Sequence, residues 1–222
     1  MATTVLPRPV ESQATQRSGV RQKVILVLSA WFLLVVSLGA IGAFVAPPGT
    51  PPVLLAIAVG APLLLFFAGL RLSPAFRDFV LSLDLRLIAG IQAWRWAGLG
   101  FLSLYAHNVL PAVFALPAGL GDMAIGFAAP WMILALVRQP GFAASATFVR
   151  WNVLGIVDLV VALTIGTVSA TLASGTPGEI STAPMATLPL LLIPVYLVPV
   201  FLMLHATALM QSRRILRARM PA

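Results

Sequence analysis

The fold is decided between Val24 and Leu70, where the sequence reads VILVLSAWFLLVVSLGAIGAFVAPPGTPPVLLAIAVGAPLLLFFAGL without one ionised side chain. A helix needs about 20 mainly apolar residues to cross the roughly 30 Å hydrocarbon core of a bilayer. The run PPGTPP at residues 47–52 divides this stretch, because proline cannot continue a helix and glycine suits a turn. The sequence therefore predicts two membrane spans, at about Val24–Ala46 and Val53–Leu70.

The composition of the chain extends this interpretation to its whole length. Of its 222 residues 9% are charged and 60% are hydrophobic, and the mean hydropathy is +1.01. An ordinary soluble domain carries about 25% charged residues, so a water-soluble surface cannot be built from this sequence. Four more stretches are apolar and long enough to span: Leu87–His107, Pro117–Val137, Trp151–Thr171 and Leu188–Met210.

A short helix is predicted between the second and third spans. Ser73-Pro74 is a helix start, and apolar residues then recur at helical spacing beside charged ones, which is typical of a helix at the membrane interface. The predicted fold is an all-α integral membrane protein: a six-transmembrane-helix bundle with this interfacial helix before the third span. Its parts are a cytoplasmic amino-terminal tail at 1–23, the transmembrane domain at 24–210 and a basic cytoplasmic tail at 211–222.

Basic residues predict the orientation, because they accumulate in cytoplasmic loops. With the amino terminus inside, Arg95 lies within a span and all other basic residues face the cytoplasm. These are Arg8, Arg17, Arg21, Lys23, Arg71, Arg77, Arg86, Arg138, Arg150, Arg213, Arg214, Arg217 and Arg219. We therefore expect a bacterial-type inner (plasma) membrane protein with both termini cytoplasmic.

The net charge of +8 indicates partners of one kind. The positive charges are scattered over the inner loops without a nucleic-acid recognition motif, so we predict contact with anionic lipid headgroups, not nucleic acid. The chain has no cysteine, which removes disulfides, iron–sulfur clusters and thiol catalysis from consideration.

Five ionisable side chains fall inside the predicted spans, and such groups mark functional sites because burying them in hydrocarbon is costly. Counting 1.5 Å per residue from each span centre places Arg95 and Asp158 at matching depth, with Gln92 and His205 on the same cytoplasmic side of the midplane. The sequence therefore predicts one inner polar site, formed by Gln92, Arg95, Asp158 and His205.

The same counting places His107 and Asp122 on the outer side of the midplane, and separates Asp122 from Asp158 by about 12 Å in depth. His107 and Asp122 are thus predicted to form a second, outer polar site. For the Arg95–Asp158 pair two interpretations stay open: a structural bridge between spans three and five, or a gate on a path for a solute or protons.

No cofactor, metal or catalytic residue is predicted. The two histidines lie on opposite sides of the midplane, which opposes a haem held by both of them, although a haem held by one histidine and a methionine remains an alternative. No HExxH motif or paired His/Cys spacing indicates zinc.

The segment Gly119-Leu120-Gly121-Asp122 resembles the GxGD motif of the intramembrane aspartyl proteases, the presenilin and signal peptide peptidase group. The resemblance covers four residues and implies that Asp122 would be one of a catalytic pair. That family also has an aspartate on the preceding helix and a later PAL motif, and this chain has neither. A structural use of these glycines, with Asp122 in the first turns of span four, accounts for the segment as well.

Span six contains Pro189, Pro194 and Pro199 at five-residue intervals. Two interpretations stay open: a bent helix that lines an interior space, or the ordinary frequency of proline in transmembrane helices. Taken together, the sequence favours a protein that binds or transports a small solute or protons through an intramembrane polar site. The alternative is a non-catalytic subunit or assembly factor of a larger membrane complex, or a homo-oligomer in which the polar pairs only stabilise packing.

Overall fold

The computed structural model describes the backbone of residues 10–219 and the side chains of residues 18–218, where every regular element is helical. Residues 1–9 and 220–222 of the two predicted tails lie outside both ranges. The eight α-helices are α1 (Val10–Ala40), α2 (Val53–Leu72), α3 (Pro74–Val80), α4 (Leu85–Gln92), α5 (Leu99–Ala106), α6 (Ala112–Arg138), α7 (Ala146–Leu172) and α8 (Val198–Arg219).

Five helical segments are long and apolar enough to cross a membrane. They are Ser18–Ala40, Val53–Leu72, Ala112–Arg138, Ala146–Leu172 and Ile193–Ala218. Three of them begin earlier than predicted: the first at Ser18 and not at Val24, α6 at Ala112 and not at Pro117, and α7 at Ala146 and not at Trp151. The last begins at Ile193, five residues after its predicted start at Leu188. The first helix ends at Ala40, six residues before its predicted end.

The predicted third span is a broken helical path. It consists of α4, a 3₁₀ segment (Ala93–Gly98) and α5, joined end to end. Glycines let the backbone of α6 lie directly on the 3₁₀ segment: a Cβ on Gly126 would be 2.8 Å from the Trp96 nitrogen, and one on Gly119 would be 2.9 Å from the Gly98 carbonyl oxygen. Small residues allow helices to approach this closely in membranes.

The short helices between α2 and the 3₁₀ segment have side-chain caps. The Ser73 hydroxyl accepts a hydrogen bond from the Phe76 amide at the start of α3, and the Asp84 carboxylate accepts one from the Arg86 amide at the start of α4. A helix is therefore present where the interfacial helix was predicted, and it covers Pro74–Val80.

The connections between helices collect at two opposite ends of the bundle. At one end, which we call the basic end, the Gln211 side chain donates hydrogen bonds to the carbonyls of Val80 and Leu83. At the other, which we call the loop end, residues 41–52 meet residues 173–187, and a Cβ on Gly175 would lie 2.6 Å from Pro48 Cβ. The path from α4 to α5 runs from the basic end towards the loop end, where Leu110 packs with Met185.

Prolines distort the start of the last helix. Pro194 lies in a π-helical segment (Ile193–Leu197), and Pro199 is fully buried in the first turn of α8. Within the π-helical segment, Tyr196 packs on the rings of Trp31 and Phe32 and donates a hydrogen bond to the Leu28 carbonyl. These contacts attach α1 to the rest of the bundle.

Candidate functional site

Arg95 lies at the centre of a polar cluster in the middle of the bundle, and its side chain is 0% exposed. The residue belongs to the 3₁₀ segment, which brings it against α6, α7 and α8. All three guanidinium nitrogens have partners: Nε donates to Asp122 Oδ1 at 2.7 Å, Nη1 donates to the Gly155 carbonyl at 3.3 Å, and Nη2 donates to Asp158 Oδ2. The predicted Arg95–Asp158 contact is present.

Asp122 shares this arginine with Asp158. Predicted to form an outer site with His107, it is instead the eleventh residue of α6 and contacts Arg95. The counted depth was wrong because α6 and α7 both begin about five residues early. Asp122 lies three residues before the middle of α6 (residue 125 of 112–138), and Asp158 lies one residue before the middle of α7 (residue 159 of 146–172).

A chain of hydrogen bonds extends from Arg95 through His205. Nη1 of Arg95 lies 3.2 Å from His205 Nε2, and His205 Nδ1 lies 2.9 Å from Asn152 Oδ1. Because a guanidinium only donates, Nε2 must accept and Nδ1 must carry the proton. Asn152 Nδ2 then donates to the Phe148 carbonyl at 2.9 Å. This direction of donation assigns a neutral imidazole to His205.

Two glycines make room for the cluster. A Cβ on Gly121 would collide with the Asp158 carboxylate, and a Cβ on Gly155 would collide with the His205 ring. Gly121 belongs to the Gly119–Asp122 segment, so the pattern that resembles a protease motif is here a packing device. It lets α6 approach both Asp158 and the 3₁₀ segment.

Gln92 and His107 lie outside this cluster. Gln92 is fully buried on α4; its Nε2 donates to the Phe201 carbonyl at 3.4 Å, and its Oε1 has no partner. His107 is exposed just after α5, where its Nδ1 lies 2.8 Å from the Ser103 carbonyl. The residues that the structure brings together are thus Arg95, Asp122, Asp158 and His205.

A cavity of about 300 Å³ leads from the loop end to this cluster. Its walls are mostly apolar, with residues from the 44–52 connection, α5, α6, α7, the 173–187 connection and the start of the last helix. Asp122 lines it and Arg95 does not. Pro194 also lines it, whereas Pro189 precedes the last of the five long apolar segments, which begins at Ile193.

Glu179 lines the cavity where the 173–187 connection borders it. Its carboxylate accepts hydrogen bonds from the Ser174 amide at 3.0 Å, the Ser174 hydroxyl at 2.8 Å and the Gly175 amide at 2.7 Å. These bonds lower the pKa of Glu179, those from Ser174 most of all. Glu179 is therefore ionised at neutral pH.

The charges of the buried cluster do not balance. One guanidinium faces two carboxylates beside a neutral imidazole, which leaves a formal charge of −1. The carboxylates are 16% and 15% exposed, for Asp122 and Asp158, while the guanidinium has no exposure. Such a cluster is completed by one proton or one other cation, and Asp122 is the carboxylate that the cavity reaches.

Two aspartates at one arginine differ from an aspartyl protease dyad. In a dyad the carboxylates face each other and share a proton. Here Arg95 holds one with Nε and the other with Nη2, so the guanidinium bridges the two acids. The arrangement suits charge compensation and ligand binding better than water activation.

The described residues include no group of three or more His, Cys, Asp or Glu side chains close enough to hold a metal ion. His205 has a protein partner at each ring nitrogen.

A family model matches most of the chain. A model described as a domain of unknown function (DUF8737) matches residues 52–213, which is more than half of the chain and includes every residue of the polar cluster. No curated protein and no solved structure matches the chain.

Proposed function

The chain belongs to the family DUF8737, whose description carries no activity, and we propose from the site that it binds or transports a small solute or protons within the membrane. One observation carries the proposal: the cavity from the loop end reaches Asp122, one of two carboxylates on the buried Arg95. A ligand or proton that reaches Asp122 changes the charge balance of a cluster built from the 3₁₀ segment, α6, α7 and α8. Occupancy is thereby coupled to how these segments pack.

The proposal includes a sixth span along α4, the 3₁₀ segment and α5. At about 1.5 Å per α-helical and 2.0 Å per 3₁₀ residue, the 8, 6 and 8 residues of these segments extend about 36 Å. This length suffices for a bilayer core of about 30 Å. The path also joins opposite ends of the bundle, which supports a crossing.

The proposed orientation puts the basic end in the cytoplasm of a bacterial-type inner membrane. Exposed arginines lie next to the connections at that end, among them Arg77, Arg138 and Arg213. Basic residues favour the cytoplasmic side and attract anionic headgroups. Both termini are then cytoplasmic, α3 lies at the inner interface, and the cavity opens to the outside.

Thiol labelling tests the proposal, and the natural absence of cysteine means that each introduced cysteine is the only one. We would place cysteine at Ala162, which lines the cavity, and in a matched variant at Val161, which faces outward on the same helix. Membrane-impermeant methanethiosulfonates would be applied from outside to intact cells and from inside to inverted vesicles.

We expect Ala162→Cys to react from outside only and Val161→Cys to react from neither side, because a thiol in lipid does not form the reactive thiolate. Failure of both cysteines to react would overturn the proposed site. Stable co-purification of the unreactive protein with a larger complex would then favour the subunit alternative.

A further inference from the structure

We propose that the cavity accepts an organic cation with an apolar body, and that Asp122 and Glu179 select its charge. This inference rests on the proposed function and names the class of ligand for that site. It begins from the charges in the cavity wall: among the described residues that line it, the charged ones are these two acids.

The position of Arg95 strengthens the preference of the cavity for a cation. The guanidinium carries the only positive charge of the buried cluster, but its side chain has no exposure and is absent from the cavity wall. Asp122 is partly exposed and lines the wall. A ligand in the cavity therefore meets a carboxylate of the cluster, whose formal charge of −1 a monovalent cation would cancel.

The apolar cavity walls are the reason why we expect the ligand to have an apolar body. Phe44, Phe101 and Phe114 line the cavity together with aliphatic side chains such as Leu55 and Leu159. Aromatic faces attract cations, and apolar walls bind apolar surface. A small hydrated metal ion would leave most of this wall unmatched.

The loop end supports entry of a cation. Glu179 is held ionised by its hydrogen bonds from Ser174 and Gly175, and it lines the outer part of the same cavity. Lining by one sign of charge raises the local concentration of ions of opposite charge. An anion is repelled by both acids, and a neutral molecule gains no charge–charge attraction from either.

Binding of a matched ion pair tests the inference. Tetraphenylphosphonium and tetraphenylborate have nearly the same shape and opposite charge, so the purified full-length protein should bind the first and not the second. Asp122→Asn should weaken tetraphenylphosphonium binding at least about tenfold, the loss of one close ionic contact. Glu179→Gln should weaken it about two- to threefold, because its charge is exposed and screened.

Asp84→Asn is the matched control, because Asp84 is an exposed acid at the basic end, paired with Arg86, and its loss should leave binding unchanged. Comparable binding of both ions, or equal binding by the wild type and Asp122→Asn, would overturn the inference.

A second measurement covers the case in which Asp122→Asn does not fold. Two methanethiosulfonates would be compared at Ala162→Cys, one with a cationic trimethylammonium group and one with an anionic sulfonate group. Each reaction rate is divided by the rate of the same reagent with 2-mercaptoethanol in solution, and the normalised rate should be higher for the cationic reagent. Glu179→Gln should reduce this preference. Reaction without charge preference would overturn the cation inference and leave the proposed site intact, whereas absence of reaction would overturn the proposed site itself.

Discussion

Replacing Arg95 should destabilise the protein far more than replacing either aspartate. A pair of unit charges about 4 Å apart is worth about 4 kcal/mol at an effective dielectric constant of about 20. Asp122→Asn removes one such attraction to Arg95 and also the repulsion between Asp122 and Asp158. These two changes have opposite signs, so the net cost should be about 1 kcal/mol. Asp158→Asn should behave in the same way.

Arg95→Gln removes both attractions and leaves the repulsion. Removing one partner of a buried ion pair costs about 3–5 kcal/mol, and here two carboxylates lose their partner at once. The free energy of unfolding would be measured by denaturant titration in detergent micelles at about pH 8, where ordinary carboxyl groups are ionised. Equal losses for Arg95→Gln and Asp122→Asn would refute the shared-arginine cluster.

The double variant Arg95→Gln, Asp158→Asn sharpens this test. If Arg95 and Asp158 were an isolated structural pair, removing both would restore most of the stability. The structure predicts incomplete recovery, because Asp122 then remains as a buried carboxylate without a cation. Adding Asp122→Asn should bring further recovery, and full recovery in the double variant would show that Asp122 acts independently.

Two further predictions concern packing and capping. Gly121→Ala should cost about 1–3 kcal/mol of stability, because its Cβ would displace the Asp158 carboxylate. The control Gly60→Ala, with open space around it, should stabilise α2 by up to about 1 kcal/mol. Equal melting temperatures of the two variants would contradict the close approach of Gly121 to Asp158. Asp84→Ala should cost about 1 kcal/mol by removing the α4 cap. Hydrogen bonds from Arg86 lower the pKa of Asp84. The stabilisation by this cap should therefore be complete above about pH 4, the ordinary carboxyl value, and should disappear as the pH falls further. In a pH series of melting curves, a constant difference between wild type and variant down to about pH 2 would contradict this.

The membrane class and the central arginine could be predicted from sequence because both depend on local properties. Apolar length predicted the five helices that are long enough to span, and the high cost of an intramembrane charge singled out Arg95 and Asp158. The contact between Arg95 and Asp158 was predicted by counting their depths. This counting tolerates an error of a few residues, because the long arginine side chain can reach a partner at a somewhat different depth. His205 was predicted to share a site with Arg95 by the same counting, and it contacts Arg95.

The place of Asp122 could not be predicted because it depends on where two helices begin. Pro117 suggested the start of a span, yet it lies inside α6, and the helix begins at Ala112 after Pro111. A shift of five residues moves a side chain about 7.5 Å along the helix axis, enough to assign Asp122 to another site.

The break in the predicted third span was also beyond prediction, because it accompanies contact with another helix. Residues 87–107 are apolar and have no internal proline. The 3₁₀ turn accompanies backbone contact with Gly119 and Gly126 of α6, which no helical periodicity within residues 87–107 records. The spacing of glycines on α6 was the sequence feature that indicated close helix packing, but it did not show which segment packs there.

The mouth of the cavity has a kinetic consequence. Prolines at 47 and 48 restrict one of its connections, and the hydrogen bonds of Glu179 hold the other around Ser174 and Gly175. Because both connections already have fixed conformations, no loop has to become ordered when a ligand enters the cavity. For ligands of the proposed site, association rates should therefore vary little, and residence time should decide which of them the protein retains.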